Sequence, residues 1–481
     1  MKILLCNAYF YQLDRKQWKT KQPYPPLGTL YAASVIKQLG HELIFIDNSL
    51  EEGIEKTKKS LAFHRPDVFI IYEDGFNYLT KMCLTSMRDA AHAMLAFAKD
   101  MDADTICCSS DASDHFDHYL DAGADFVITG EGEKTLEDLL LILETGVSVD
   151  DLPGIVYKDS TGHHKNVNRP VIRDLDTLAD PAWELVNFES YRHIWLKHHR
   201  YFSLNIASTR GCPFKCNWCA KPIYGNRYNS RSPERVVKEM EMLMEVAGVN
   251  HFWVCDDIFG LKPGWVQAFS KLVKEKNLHF QFKIQSRVDL LLEEDTIDSL
   301  VKAGVKTVWV GAESGSQKIL DAMDKGTQVE QIHRATQLLK KRGVEVGFFL
   351  QFGYLGESKD DINQTINMLL DLMPDDIGVS VSYPLPGTGF YEKVEHQMRD
   401  KKNWVDSDDL AMMYQGTFSQ SYYRKLHRYV HKIFRSRQIL QKLSKIDQWF
   451  QHPQIFLLAY YLPGSWIDRL TLRRLEKRPQ L

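Results

Sequence analysis

The sequence predicts an α/β protein: a doubly wound Rossmann-like N-terminal domain, then a partial (β/α)6 TIM-type barrel, then a C-terminal helical extension. Three observations predict it. Short apolar runs alternate with helical stretches from the N-terminus to about residue 148. A second alternation of the same kind begins near residue 200, and the last stretch of the chain is helical and basic. At about 150 residues per domain, 481 residues hold about three such parts. A hydrophobic share of 44% excludes wholesale disorder. The 28 glycines and 17 prolines exclude collagen-like and low-complexity chains. No apolar run reaches about 18 residues, so no transmembrane helix is expected. The start, MKILLCNAYF, has too short an apolar run for a signal peptide and reads as a first strand, so the protein is expected in the cytoplasm.

The first series predicts strands at Lys2–Cys6, Glu42–Asp47, Asp67–Tyr72, Thr105–Ser109 and Asp125–Ile128. Each is a short apolar or β-branched run, as expected for a strand covered on both faces. Helices are expected at Leu27–Gln38, Glu51–Phe63, Leu79–Asp100, Phe116–Asp121 and Lys134–Glu144. Ligands of such sheets bind outside the carboxyl ends of the strands. The loops there carry Glu73, Asn77, Ser109, Ser110, Asp111, Glu131 and Gly132. No GxGxxG follows the first strand, so an ordinary dinucleotide site is not expected. Residues 149–199 read as a linker with a hairpin, its arms at Gly154–Lys158 and Val167–Ile172.

The second series, residues 200–400, predicts strands at Ser203–Ala207, His251–Cys255, His279–Gln285, Thr307–Ala312, Val344–Phe352 and Gly378–Tyr383. Helices fall between them, at Val266–Lys276, Asp295–Lys302, Val329–Arg342 and Lys359–Leu372 among others. Ser232-Pro233-Glu234 reads as an N-cap, a proline at the first helical position and a first-turn acid. Six β/α units are fewer than the eight of a closed barrel. Residues 401–481 form the extension. From Ser421 onward it holds 13 Lys or Arg against 3 Asp or Glu, so the near-neutral total of -3 averages an acidic body and a basic tail. A helical cap with a solvated basic face is one reading of this tail, and peripheral attachment to an anionic membrane is another. The acidity of the rest argues against nucleic-acid binding.

Eight cysteines in a chain this long are not a disulfide scaffold. Three cluster as Cys212-Pro-Phe-Lys-Cys216-Asn-Trp-Cys219, on the loop after the first strand of the second series. Thiolates are soft ligands suited to iron–sulfur clusters, zinc or copper(I). Structural zinc wants four ligands, and no fourth Cys or His is near in sequence. Three ligands leave one metal position open, which suits a 4Fe-4S cluster held at three corners. A zinc site completed from afar, or three unrelated cysteines, are the alternatives that spacing leaves open. The other five cysteines read as packing residues.

These residues resemble the radical SAM superfamily, and the resemblance to its cobalamin-binding branch extends over nearly the whole chain to about Gln420. Arg210-Gly211-Cys212 through Cys219 is similar to the CxxxCxΦC pattern, with Trp218 as the aromatic. Trp253 to Phe259, with Asp256 and Asp257, resembles the strand-end DDxF. Gly311 to Ser316, with Glu313 and Ser314, resembles GxESG, and Tyr383 to Thr388 resembles PxPGT. Gln285 and Arg287 also fall at a strand end. Gly353-Tyr354-Leu355-Gly356-Glu357 resembles a GxPGE turn with leucine for proline. The resemblance implies a 4Fe-4S cluster on Cys212, Cys216 and Cys219. It makes Trp218, Asp256, Asp257, Gln285, Arg287, Glu313 and Ser314 candidate contacts to S-adenosylmethionine or the cluster. Asp256 and Asp257 are adjacent, so only one need face the site.

In the N-terminal domain, Pro25 to Tyr31 and Gly123 to Glu133 resemble the cobalamin-binding module. Asn77, Ser109, Ser110, Asp111, Glu131 and Gly132 are its candidate cobalamin contacts. The DxHxxG motif that supplies a cobalt-ligating histidine elsewhere is absent; Asp111 to His115 is only superficially similar. The resemblance implies reductive cleavage of S-adenosylmethionine to a 5′-deoxyadenosyl radical and methylation of an unactivated carbon through methylcobalamin. A radical oxidative cyclase or rearrangement enzyme without net methyl transfer is the first alternative, and a non-catalytic iron–sulfur or metal-binding protein the second. The implied partners are an external one-electron donor such as flavodoxin or ferredoxin and a small-molecule or lipid-linked substrate. No residue is assigned as a catalytic acid, base or nucleophile.

Overall fold

The computed structural model describes residues 1–73, 75–76, 84–219, 221, 223–293, 295–398, 412–443 and 453–476. They form two compact units: Met1–Pro213 with Lys221–Ile284, and Phe214–Ala220 with Gln285–Leu481.

The first unit opens with five parallel strands, β1 (Lys2–Cys6), β2 (Glu42–Ile46), β3 (Val68–Tyr72), β4 (Asp104–Cys108) and β5 (Phe126–Ile128). The hairpin β6 (Ile155–Asp159) and β7 (Gly162–Lys165) extends the sheet antiparallel, in the order β2-β1-β3-β4-β5-β6-β7. All five residues of β3 are buried, since helices cover both faces. Alternate side chains supply two cores: Leu4, Cys6, Phe69 and Ile71 on one face, Ile3, Leu5, Val68 and Ile70 on the other. Strand order reverses at β1, which pairs with both β2 and β3. That reversal is where a doubly wound sheet opens a crevice.

The helices Leu27–Gln38 and Phe116–Asp121 lie where periodicity puts them. The hairpin differs from expectation. Its second arm is Gly162–Lys165, not 167–172, because the Asp159 carboxylate accepts from the Thr161 and Gly162 amides and closes a tight turn. The stretch read as linker also contains a helix, Phe188–His199, which periodicity did not reveal. Its Trp195 is fully buried and donates from Nε1 to the Pro23 carbonyl at 2.8 Å.

The second series begins with β8 (Ser203–Ile206), β9 (Thr209–Arg210), β10 (Asn229–Ser230), β11 (His251–Val254) and β12 (Gln281–Ser286). β11 pairs in parallel with both β8 and β12. The two-residue pair of β9 and β10 is antiparallel and was not expected. It closes the base of the excursion that carries the cysteines. Ser232 caps the helix Pro233–Ala247, its Oγ accepting from the Arg235 amide at 3.3 Å, as the Ser-Pro-Glu signature predicts.

The second unit contains β13 (Val305–Glu313), β14 (Glu345–Phe352) and β15 (Asp376–Val381), with β14 parallel to both neighbours. The strands of the second series therefore follow one another in sequence order, β8-β11-β12 and β13-β14-β15. The helix Lys359–Leu372 matches its expected bounds and starts in a Ser358/Asp361 capping box. Two C-terminal helices, Gln420–Leu443 and Leu458–Leu475, pack on each other. Arg435 pairs with Asp376 at 2.7 Å, tying the first of them to the start of β15. Among the described residues no helix is long and apolar enough to cross a membrane.

Candidate active site

In the first unit, the residues around the start of the cysteine loop are held by buried charge. Arg210 ends β9 and is 4% exposed. Its guanidinium donates from Nη1 to Glu131 at 2.5 Å and from Nη2 to Glu133 at 2.6 Å. The rings of Tyr31, Phe76 and Tyr224 surround it at 5.2, 5.2 and 5.4 Å. Burial opposes its charge, but the two carboxylates hold its pKa well above the ordinary value. Glu131 was expected as a cofactor contact; its second oxygen accepts from the Ile172 amide, so it is fully engaged. Glu133 belongs to the quoted turn motif, yet its pairing with Arg210 was not anticipated.

Gly211 follows with φ 77°, and a Cβ there would collide with the Arg227 carbonyl. Only glycine fits this left-handed position. Gly211→Ala is expected to cost about 1–3 kcal/mol and to lower iron bound per chain. Urea midpoint and iron analysis check this; an unchanged midpoint with full iron loading contradicts it. Asp256, 1% exposed, accepts from the Ser208 and Thr209 amides at 2.7 and 3.0 Å and from the Ser208 hydroxyl. Burial pushes its carboxyl up to about 6. It thereby fixes the turn between β8 and β9, while Asp257 next to it is exposed. Asp256 is thus the buried one of the two acids, held by two backbone amides and one hydroxyl.

In the second unit, Asn217 pins the middle of the cysteine loop. Its side chain donates to the Ala322 carbonyl at 2.8 Å and to Asp324 at 2.7 Å, and accepts from the Tyr354 hydroxyl at 2.6 Å. Its amide donates to the Met323 carbonyl and its carbonyl accepts from the Phe390 amide. Sequence reading passed over Asn217; its place between two cysteines was the available signal. Phe214 lies under the Arg287 guanidinium, 3.7 Å from the ring centre. Arg287 also pairs with Asp289 at 2.9 Å and donates to the Lys325 carbonyl at 2.8 Å. Like Asp256, it is committed to positioning. Gln285, on β12, is half-buried.

Glu313 holds a left-handed φ of 54° and accepts from Lys325 Nζ at 2.9 Å, both side chains buried. Burial would lower the Lys325 pKa, but Glu313 and then Cys216 hold it above the ordinary value. Lys325 Nζ lies 5.9 Å from the Trp218 ring centre. Ser314 accepts from the Ser316 amide and shares a 3.0 Å hydrogen bond with Thr365. The Trp218 indole N–H is buried and has no partner among the described residues.

Cys212, Cys216 and Cys219 are half-buried and in no disulfide, with the Cys219 amide donating to the Cys216 carbonyl. Cys6, Cys107, Cys108 and Cys255 are buried, and burial pushes the Cys6 and Cys108 thiols up, as packing residues require. Cys83 lies outside the described residues. No group of three or more His, Cys, Asp or Glu side chains is preformed as a metal site among the described residues. The donor set itself, three accessible thiols on one pinned loop beside an unpartnered indole N–H, fits an iron–sulfur cluster.

The carboxyl ends of β1, β3 and β4 frame a small cleft lined by Tyr9, Glu73, Met87, Ser109, Asp111 and Tyr119. It opens at the strand-order reversal, as the topology predicts. A neighbouring small cleft is lined by Ser110, Gly132 and Glu133 among others. Ser110 Oγ is buried there without a partner among the described residues. Gly132 is needed for packing, since a Cβ would stand 2.6 Å from the Tyr72 hydroxyl. Ser109 caps the short helix Ser110–Asp114. Asp111 is bound by Arg88, at 2.5 and 2.7 Å, and by the Tyr119 hydroxyl at 2.7 Å. Asn77 lies outside the described residues. Both clefts lie at the strand ends where a doubly wound sheet takes its ligand, and the Ser110 hydroxyl offers a polar contact there.

Residues 206–369 match the model of the Radical SAM superfamily. The chain carries a radical SAM domain. Its cysteine loop and the GAESGS segment both lie inside the matched residues. An uncharacterised methyltransferase of Pyrococcus horikoshii is 26% identical over 388 residues, covering 79% of this chain and 81% of that protein. The anaerobic magnesium-protoporphyrin IX monomethyl ester cyclase of Rubrivivax gelatinosus is 27% identical over 404 residues, covering 79% and 69%. The solved radical S-adenosylmethionine methyltransferase TsrM of Kitasatospora setae, with cobalamin and a [4Fe-4S] cluster bound, has a TM-score of 0.67. It is 18% identical and the match covers 84% of this chain and 76% of that one, so the fold is shared beyond the radical SAM domain.

The radical SAM domain also contains the Gly353–Glu357 turn. Glu357 is fully buried; Oε2 accepts from the Gly353 amide at 2.6 Å and Oε1 has no partner among the described residues. Burial, then Asp361, raises its carboxyl to about 8, with Lys318 opposing. The folded state therefore binds this proton more tightly than the unfolded chain, and stability falls as pH rises from the ordinary glutamate range to about 8. Glu357→Gln is expected to remove about 2–3 kcal/mol of the stability that the wild type loses between pH 6 and pH 9. Urea midpoints at the two pH values measure it; equal losses in both proteins contradict it.

Proposed function

We propose that this protein is a cobalamin-dependent radical S-adenosylmethionine enzyme that methylates an unactivated carbon. The observation that carries the reading is the trio of cysteines, Cys212, Cys216 and Cys219, on a pinned loop within the matched residues. When bound, the cluster, S-adenosylmethionine and methylcobalamin supply a 5′-deoxyadenosyl radical and a methyl group. The chain's own task is to orient these groups and exclude water. The three thiolates hold the cluster. Arg210, Gly211 and Asp256 set the loop's entry, and Asn217 with Arg287 sets its middle. Trp218, Gln285, Glu313, Ser314 and Asp257 are the proposed contacts to S-adenosylmethionine. Lys325 orients the Glu313 carboxylate. Ser109, Ser110, Glu131 and Gly132 are the proposed cobalamin contacts, with Asn77 added on the sequence alone, and Asp111 braces the site through Arg88. No histidine is assigned to cobalt.

The reading also takes in an external one-electron donor of the flavodoxin or ferredoxin kind and a small-molecule or lipid-linked substrate. We place the protein in the cytoplasm, with peripheral membrane contact through its basic tail. The cyclase relative supports a second reading, radical cyclisation or rearrangement without net methyl transfer. A test is anaerobic purification with cobalamin, with corrin and cluster absorbance read together, followed by turnover of candidate acceptors with methyl-labelled S-adenosylmethionine. Bound corrin and label in the product support methyl transfer. Product without label supports the second reading, and absence of corrin binding overturns the cobalamin assignment.

A further inference from the structure

We infer that the helix Leu458–Leu475, with the turn before it, is the face by which this protein lies on an anionic lipid bilayer. The inference deepens the membrane contact proposed above and is independent of the radical chemistry. Large apolar side chains crowd the start of this segment and face solvent: Phe456 is 80% exposed, Trp466 64% and Tyr460 63%, with Leu457, Leu462 and Ile467 beside them. Single exposed apolar residues need no explanation, but six within twelve positions mark an interaction site. At 1.5 Å per helical residue they extend over about 18 Å.

Charge decides what covers this face. Exposed Arg469, Arg473 and Arg474 follow the apolar stretch on the same helix. The acids of the tail's described residues point the other way. Asp468 is buried between Lys425 and Lys432, at 3.0 and 2.8 Å, and Glu476 pairs with Lys359 at 2.5 Å. These pairs tie the helix to its neighbour and to the helix Lys359–Leu372, and they leave the outward face apolar and cationic. Aromatic rings beside arginines suit the headgroup level of a bilayer with anionic lipid. The segment is not long and apolar enough to cross, so it lies in the interface.

The test is co-sedimentation of the full chain with vesicles of phosphatidylcholine alone or mixed with phosphatidylglycerol. Binding to the mixed vesicles is expected, weakened by raising salt toward about 1 M. The triple variant R469E/R473E/R474E is expected to lower it at least about a hundredfold, and F456S/W466S at least about tenfold. Both variants should keep the wild-type circular dichroism and iron loading. Lack of binding to the mixed vesicles overturns the inference, as does binding insensitive to either variant. Light scattering that shows a dimer abolished by F456S/W466S, without vesicle binding, also overturns it and assigns the face to a second copy. Because the readout is lipid binding, the result stands apart from any measurement of S-adenosylmethionine cleavage.

Discussion

Cys216→Ala is expected to abolish iron–sulfur absorbance and to reduce cleavage of S-adenosylmethionine to background, while the unfolding midpoint of the metal-free protein changes by less than about 1 kcal/mol. The reason is local. Cys216 is half-buried on a loop and belongs to neither core of the N-terminal sheet. Its backbone carbonyl still accepts from the Cys219 amide after the substitution. The loop stays pinned by Asn217 on both sides of its chain. A thiol has been removed and little packing with it. Cys255→Ala is the control, because that thiol is buried and donates to the Ile206 carbonyl at 3.1 Å. It should lower stability and keep the cluster. Iron and sulfide analysis with visible absorbance decides between them; a Cys216→Ala protein that retains full iron removes the ligand assignment.

Arg210→Ala should have the largest effect on stability. It leaves the buried carboxylates of Glu131 and Glu133 facing each other with no cation between them, a loss of about 3–5 kcal/mol. It also empties a space enclosed by three aromatic rings. Arg210→Lys should recover little, because one ammonium cannot reproduce two separate guanidinium contacts. Urea denaturation measures both. A midpoint within about 1 kcal/mol of wild type would show that the triad is worth no more than an exposed pair. Since Arg210 adjoins Gly211 and Cys212, cluster loading should fall with stability rather than survive it.

Much of this was legible in the sequence. β3 reads as a buried strand because VFIIY has no polar residue, and β1 and β13 to β15 lie within two or three residues of their expected bounds. Lys359–Leu372 was legible because apolar period and N-cap agree. The hairpin's return arm was misplaced, since His163 and His164 carry no strand pattern and the turn is closed by Asp159. The helix Phe188–His199 was missed because few of its residues are buried, chiefly Tyr191 and Trp195. At the site, residue types and spacing revealed the thiols, the carboxylates and the arginine. They could not reveal which groups were already engaged. Asp256 and Arg287 looked like free ligands and are bound to backbone, aromatic ring and a neighbouring acid. Arg210 looked like a motif flank and is the centre of a buried triad that joins sequence positions 77 and 79 apart. Long-range pairing of that kind has no local signature.

Cys212, Cys216 and Cys219 are proposed to hold a cluster able to cleave S-adenosylmethionine. The most direct measurement is 5′-deoxyadenosine released by the anaerobically reconstituted full chain after reduction in the presence of S-adenosylmethionine. It is expected to form with the wild type and to be lost in Cys212→Ala, Cys216→Ala and Cys219→Ala. Its absence from wild-type protein shown by spectroscopy to contain an intact 4Fe-4S cluster would contradict the account.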